Sequence, residues 1–443
     1  MISLLQIFIF LTFFYNLYIL VRIRKNAVLL FGCLYLIHFY VRYLILLIDA
    51  HEWFYVHYLE ELPNIEKLTI IMAVFSMFYM IFSVFLHLVY KDNDKNILHN
   101  TYDLNNKVLK KLNTLELISF ILALTSLVIY IVMNVSRLST GKTNYILLLF
   151  NFIPADALLY YLIYFVTKYH KCIKKNHILR LIIIAVISMS KGIMIGAKSP
   201  SIIMLIFTFY FLIKYKVLKL NLWTFLISFV AIYVACALYL TANSGHLEWK
   251  VSLADVKNII FYTSKRVAGL DSVYLIVDKF NSITIQDYFN PTRYFVEIYR
   301  AFTLESMYIP MHELDTYMMG RIFAHIYCNT DITKSFAMEP SLIGFILACF
   351  GSTYGILIAF ISILIYLYCL SKIKNEFVRF YVAYQMLFLF ISGTYSNIAP
   401  SIVQIIIFII ALQIFSYDLE KEINKSEVKI NCNERCKCAI SKL

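Results

Sequence analysis

Charged side chains are scarce in this chain: Asp, Glu, Lys and Arg together make up 15% of 443 residues, against 61% hydrophobic residues and a mean hydropathy of +0.73. That shortage excludes a soluble globular domain, whose surface needs far more ionic groups. Proline is scarce as well, seven in all, and three of the seven (Pro291, Pro310, Pro340) fall within residues 242–340. Cysteine is almost missing from that same stretch, which holds only Cys328, so no disulfide can close within it. Also missing are a His-x-x-Glu-His cluster, a serine elbow, a Gly-rich nucleotide loop and any internal repeat. The nearest approach to a phosphate loop, Ser139-Thr140-Gly141-Lys142-Thr143, has Ser136 where the motif needs glycine and no strand before it. Soluble-enzyme chemistry is not written in this sequence.

What the sequence does contain is apolar runs. A helix needs about 20 apolar residues to cross a hydrocarbon core of roughly 30 Å, and eleven runs fit, near 2–21, 27–48, 68–90, 115–134, 145–167, 178–197, 199–215, 222–241, 342–371, 378–395 and 398–416. The first run lacks a basic start, is too long for a signal-peptide core and ends in Arg22-Ile23-Arg24-Lys25, so it reads as a retained span. The basic surplus of +13 then orients the chain rather than implying nucleic acid, because lysines and arginines concentrate in alternate connections (22–25, 107–111, 168–180, 214–219 and 372–379) while residues 49–66 are rich in acids. The expectation is an all-α polytopic membrane protein of about eleven transmembrane helices, N-terminus outside and C-terminus cytoplasmic. Residues 1–241 carry spans one to eight, 242–340 form one large, partly helical outward-facing loop, 341–416 carry spans nine to eleven, and 417–443 form a basic cytoplasmic tail.

Several features break the plain hydropathy pattern. As one helix, residues 341–371 would be about 45 Å long, so a break at Gly351-Ser352-Thr353-Tyr354-Gly355, or a start above the membrane, is expected. His38 and Arg42 share a helix face, and Asp156 follows Pro154 in span five. Ionisable groups at such depth should face the bundle interior or a wet cavity, or else be satisfied or snorkelling structural groups. Cys432, Cys436 and Cys438 could hold zinc or acyl chains, but three ligands without a fourth argue against metal. Cations gather at the outer face: Lys191 and Lys198 near the turn after span six, then Lys265-Arg266, Arg293, Arg300 and Arg321 in the loop. Arg forks and Lys point charges suit a lipid-linked diphosphate. The spacing of Arg293, Glu297 and Arg300 opposite Phe295, Ile298, Tyr299 and Phe302 equally suits pairing along an interfacial helix, whereas Arg321 has no such partner in register.

This arrangement resembles bacterial O-antigen polymerases of the Wzy type. The resemblance covers the topology and two short stretches, Gly196-Ala197-Lys198-Ser199 and Glu339-Pro340-Ser341-Leu342-Ile343-Gly344 with Phe350-Gly351 and Gly355 behind it; the Arg-x15-Gly pattern of some members is absent after Arg300 and Arg321. It implies a GT-C-like architecture in the bacterial inner membrane. It also implies a glycosyl transfer in which undecaprenyl diphosphate leaves the anomeric carbon as a sugar hydroxyl of the next lipid-linked unit attacks. On that reading Lys198, Arg266 and Arg321 hold the diphosphate, and His312, Glu313, His325 and Glu339 are the pool for the catalytic base. No cofactor and no metal are expected. The partners implied are undecaprenyl-diphosphate-linked oligosaccharides and membrane lipids, with room for a chain-length regulator and none for nucleic acid. Two rivals stand beside it: a flippase or transporter of lipid-linked sugar using Arg42 and Asp156 as buried charges, and an O-antigen ligase-like glycosyltransferase with acids at Asp49 and Glu52.

Overall fold

The computed structural model describes residues 2–23, 36–55, 59, 61–89, 106–132, 153–194, 204, 207–208, 210–212, 215, 217, 252, 269–280, 288–303, 319–331, 340–373, 375–392, 399–414 and 419, some of them by backbone alone. Among the described residues every regular element is helical and there is no strand. Among the described residues three helices are long and apolar enough to cross a bilayer, Ile65–Phe85, Asn106–Ile129 and Ser341–Lys372. The chain divides into two compact units, Met1–Lys95 with Val230–Ile402 and Asn96–Phe229 with Val403–Leu443.

In the first unit, α1 (Ile2–Ile23) packs along α3 (Ile65–Val89). Between them lie a π-helical turn, Leu36–Val41, its continuation α2 (Arg42–Ile48), and a short 3-10 turn, Ala50–Glu52. The polarity of these helices is inverted relative to a water-soluble bundle. Leu4, Leu11, Phe14 and Tyr18 of α1 are exposed while Thr12 and Asn16 are buried, and on α3 Ile70, Met77, Ile81 and Val84 are exposed while Thr69, Ser76 and Ser83 are buried. In hydrocarbon a Leu gains nothing by burial, whereas a hydroxyl must find an acceptor inside the bundle. Ser83 donates to Asn16 Oδ1 at 2.9 Å and to the Tyr79 carbonyl, Ser76 donates to the Met72 carbonyl, and Tyr43 shares a hydrogen bond with Thr69. Long apolar helices with this pattern make the chain an all-α membrane protein.

Four further helices of this unit lie in residues 242–340 and the segment after them: α7 (Gly269–Lys279), α8 (Pro291–Thr303), α9 (Met319–Cys328) and α10 (Ser341–Lys372), followed by α11 (Glu376–Ser392). The expected break in α10 falls at Gly351, whose φ of 82° and ψ of 168° no L side chain adopts readily. A Cβ at Gly355 would lie 2.9 Å from the Leu347 Cα, an approach across eight residues that only a sharp bend allows. Before the kink residues 341–349 are wholly buried; after it Tyr354, Leu357, Ile361, Ile365 and Tyr368 form an exposed stripe. The part after the kink, residues 352–372, is about 30 Å long and matches a hydrocarbon core.

In the second unit α4 (Asn106–Val132), α5 (Ala155–Lys168) and α6 (Lys175–Met194) pack together. Buried Glu116 of α4 receives His177 Nδ1 at 2.7 Å and Arg180 at 3.3 Å, and Arg180 also donates to Asn113 Oδ1. The helix α12 (Ala399–Ile414) begins in the first unit and ends in this one. Two expectations are corrected here. Lys107, Lys110 and Lys111 ride on the first turns of α4 rather than in a loop, because the helix starts at Asn106. Asp156 faces neither bundle interior nor cavity: α5 starts right after Pro154, so Asp156 sits exposed in its first turn, where the helix dipole favours a carboxylate.

Candidate functional site

The helix α7 ties several elements of the first unit together, and its sequence explains why. Gly269-Leu-Asp-Ser-Val-Tyr-Leu-Ile has every residue from 269 to 276 buried, so Asp271 and Ser272 need partners inside the protein. Asp271 finds Arg42 of α2: the guanidinium donates through Nε to Oδ1 at 2.8 Å and through an Nη to Oδ2 at 2.7 Å, with side-chain exposures of 1% and 0%. The same Nη donates to the Glu52 carbonyl, and the Phe54 N–H donates to Asp271 Oδ2 at 3.0 Å. Three more ties run down the helix. Tyr55 and Ser272 share a hydrogen bond of 2.7 Å, the Asn64 N–H donates to Tyr274 Oη at 2.8 Å, and Lys67 pairs with Asp278 at 2.6 Å near the surface. Trp53 packs edge-on against Tyr274. From the sequence Arg42 stands out as a buried charge beside His38, whereas Asp271 does not stand out at all. The available signal is two lone, opposite charges, each set in an apolar helix.

On its other side α7 meets α10. Gly344 lets them close: a Cβ there would be 2.9 Å from Ile276 Cδ1 and 3.5 Å from Val273 Cγ2. Ser341, buried with φ of 61°, turns its Oγ to accept the Gly344 N–H at 3.2 Å, capping the first turn where Pro340 has no side chain to do so. The Pro340-Ser341-x-x-Gly344 stretch therefore has a local physical role, a chain turn, a cap and a close helix crossing.

The helix α9 packs on both α7 and α10. Its buried face, Ile322, Phe323, Ala324 and Tyr327, stacks through Phe323 on Phe289 (4.2 Å) and packs on Phe345 of α10. Lys279 at the end of α7 donates to the Tyr327 carbonyl at 3.3 Å. Asn329 takes a left-handed conformation, φ 52°, and the Thr330 N–H returns to the Ala324 carbonyl at 3.4 Å, ending the helix. The Thr330 carbonyl then accepts a bond from His325 Nδ1 at 2.7 Å. A carbonyl can only accept, so Nδ1 carries the proton, and in the neutral ring it is Nε2 that holds the lone pair. Arg321, one turn earlier and half-buried, has no ion-pair partner among the described residues. A guanidinium fork and an imidazole acceptor thus share one face of a helix whose opposite face is fixed. That pair can bind an anion and take a proton from a hydroxyl. Burial pushes the Cys328 thiol on the same helix up to about 12, with Lys279 opposing, so it is an inert packing group.

The structure brings together, of the residues expected at the site, Arg321 and His325. Lys198, Arg266, His312, Glu313 and Glu339 lie outside the described residues, as do the tail cysteines Cys432, Cys436 and Cys438. Compared with protein-family models, with curated proteins and with solved structures, the chain matches none.

Proposed function

We propose that the chain is a polymerase that joins undecaprenyl-diphosphate-linked oligosaccharide repeat units at the outer face of the bacterial inner membrane. On this reading it has eleven spans, a GT-C-like arrangement and an outward cap over residues 242–340. The observation that supports it most is α9, which presents Arg321 and His325 on one half-exposed face while its other face is held in the cap core. The attacking sugar hydroxyl forms a bond to the anomeric carbon, the bond from that carbon to the diphosphate oxygen breaks, and the electron pair leaves on the diphosphate. Arg321 meets the departing charge and His325 Nε2 receives the hydroxyl proton. Lys198 and Arg266 stay in the proposed diphosphate set, and His312, Glu313 and Glu339 in the proposed base pool.

Deletion of the chain tests this. Repeat units would still be made, moved across the membrane and ligated, so the surface-glycan ladder on a gel should collapse to a single rung. Loss of all surface glycan with lipid-linked units accumulating inside would replace the reading with a transporter, and full-length polymer left on its lipid carrier would replace it with a ligase. The transporter reading rests on Arg42 and Asp156 as buried working charges. Arg42 is neutralised by Asp271 and Asp156 is exposed at a helix start, so neither residue supports it.

A further inference from the structure

The helix α8 is built inside out for an element that stands in water. Phe295 and Tyr299, four residues apart on one face, are 62% and 66% exposed, while Glu297 is 5% exposed. Showing two large rings to water and burying a carboxylate runs against solvation on both counts. The contradiction disappears when the medium against that face is apolar.

The height of the helix identifies the medium. Tyr294 lies 5.2 Å and Phe295 6.5 Å from Phe350, the residue just before the kink at Gly351. Below the kink runs the exposed stripe of Tyr354, Leu357, Ile361, Ile365 and Tyr368 on the membrane-crossing part of α10. Phe295 thus extends a lipid-facing surface at the level where α10 enters the bilayer, a level that aromatic rings favour. Arg300 is half-buried on the flank of the aromatic face, at the level of phosphate headgroups, while the Arg293 guanidinium turns inward, 5.0 Å from the Tyr288 ring, with its Nε and one Nη buried.

We propose that Pro291–Thr303 is an interfacial membrane helix, with Phe295 and Tyr299 seated at the boundary of headgroups and acyl chains in the outer leaflet and Arg300 at phosphate level. Its occupant is bilayer lipid. The helix would tie the cap to the membrane surface and set its height, whatever reaction the cap performs.

Full-length Phe295→Trp and Tyr299→Trp variants, reconstituted in phosphatidylethanolamine–phosphatidylglycerol vesicles, read this directly. The emission of the three native tryptophans is subtracted using the parent chain. Lipid brominated in the upper acyl chain should quench the added emission of both variants, and aqueous iodide should leave it unchanged. Iodide quenching without bromolipid quenching would place the face in water and overturn the proposal. Protection from both quenchers would mean that protein covers the face, which overturns it equally. If one variant fails to reconstitute, the other still separates these three outcomes.

Discussion

Replacing Asp271 with Ala leaves the Arg42 guanidinium 1% exposed and without its carboxylate, with the Glu52 carbonyl still accepting from it and the Phe54 N–H stripped of its acceptor. Breaking one partner of a buried pair costs about 3–5 kcal/mol, mostly from the stranded charge rather than from the lost attraction. Arg42→Ala should cost a similar amount by stranding Asp271. If those penalties were independent they would add to a loss that few proteins survive. They are not independent, because each arises from the partner left behind. The double variant Arg42→Met with Asp271→Leu fills similar volume with no charge and should recover most of the stability lost by either single change. The measurement is thermal unfolding of the purified chain in detergent, together with its abundance in membranes. On the proposed polymerase reading, glycan polymerisation in cells should follow the same order, with both singles impaired and the double restored. Additive losses in the double variant would refute the clamp. A double variant that folds but stays inactive would show that Arg42 acts in the chemistry itself.

Gly351→Ala should destabilise the chain by about 1–2 kcal/mol, since the left-handed backbone disfavours a Cβ, and Phe280, 3.1 Å from the added methyl, must give as well; unfolding midpoints check this. Tyr327→Phe should be neutral or stabilising by up to about 1 kcal/mol in the same assay, because the Tyr327 hydroxyl is buried without a hydrogen-bond partner among the described residues. Cys328 should resist maleimide at pH 8 in folded protein and react in SDS, as peptide mass spectrometry would show. Its thiol ionises near 9 when unfolded and near 12 when folded, so it contributes stability below pH 9 that is lost as pH rises towards 12. Arg321→Lys should lose polymerisation as fully as Arg321→Ala, by about 10²–10³ in rate at normal abundance, because one ammonium cannot replace a bidentate fork; long polymer from Arg321→Ala would remove it from the site.

The helices that are legible in the sequence are those whose signal is local. Apolar runs near 68–90, 342–371, 378–395 and 398–416 return as α3, α10, α11 and α12 within a few residues, and the surplus length of α10 together with its glycines locates the kink. The start of α4 escapes a hydropathy reading because its first turns carry lysines. They also carry Val108, Leu112 and Leu115, all buried at helical spacing, which a hydropathy window averages away. Asp156 is misplaced when the apolar run containing it is read as one helix, because Pro154 marks where the helix begins. Arg321 and His325 are legible as a pair one turn apart. Asp271 is not, because a carboxylate inside Leu-Asp-Ser-Val-Tyr reads as a defect in an apolar stretch until its partner, 229 residues earlier, is set beside it.

That separation bears on how the candidate site is held. The ties at Asp271, Ser272, Tyr274 and Asp278 bind α7 to residues 42–67, so α7 has its native position only when that segment is in place. The far end of α7 reaches α9 through Lys279 and the Tyr327 carbonyl, and both helices pack on the buried opening of α10. An error in the placement of Arg42 therefore passes through α7 to the helix that carries Arg321 and His325, although no residue of 42–67 needs to touch a ligand. A displacement of about 1 Å can slow a reaction by about 10²-fold. Tyr55→Phe or Tyr274→Phe, each of which removes only one hydroxyl from these ties, should therefore lower activity further than it lowers stability.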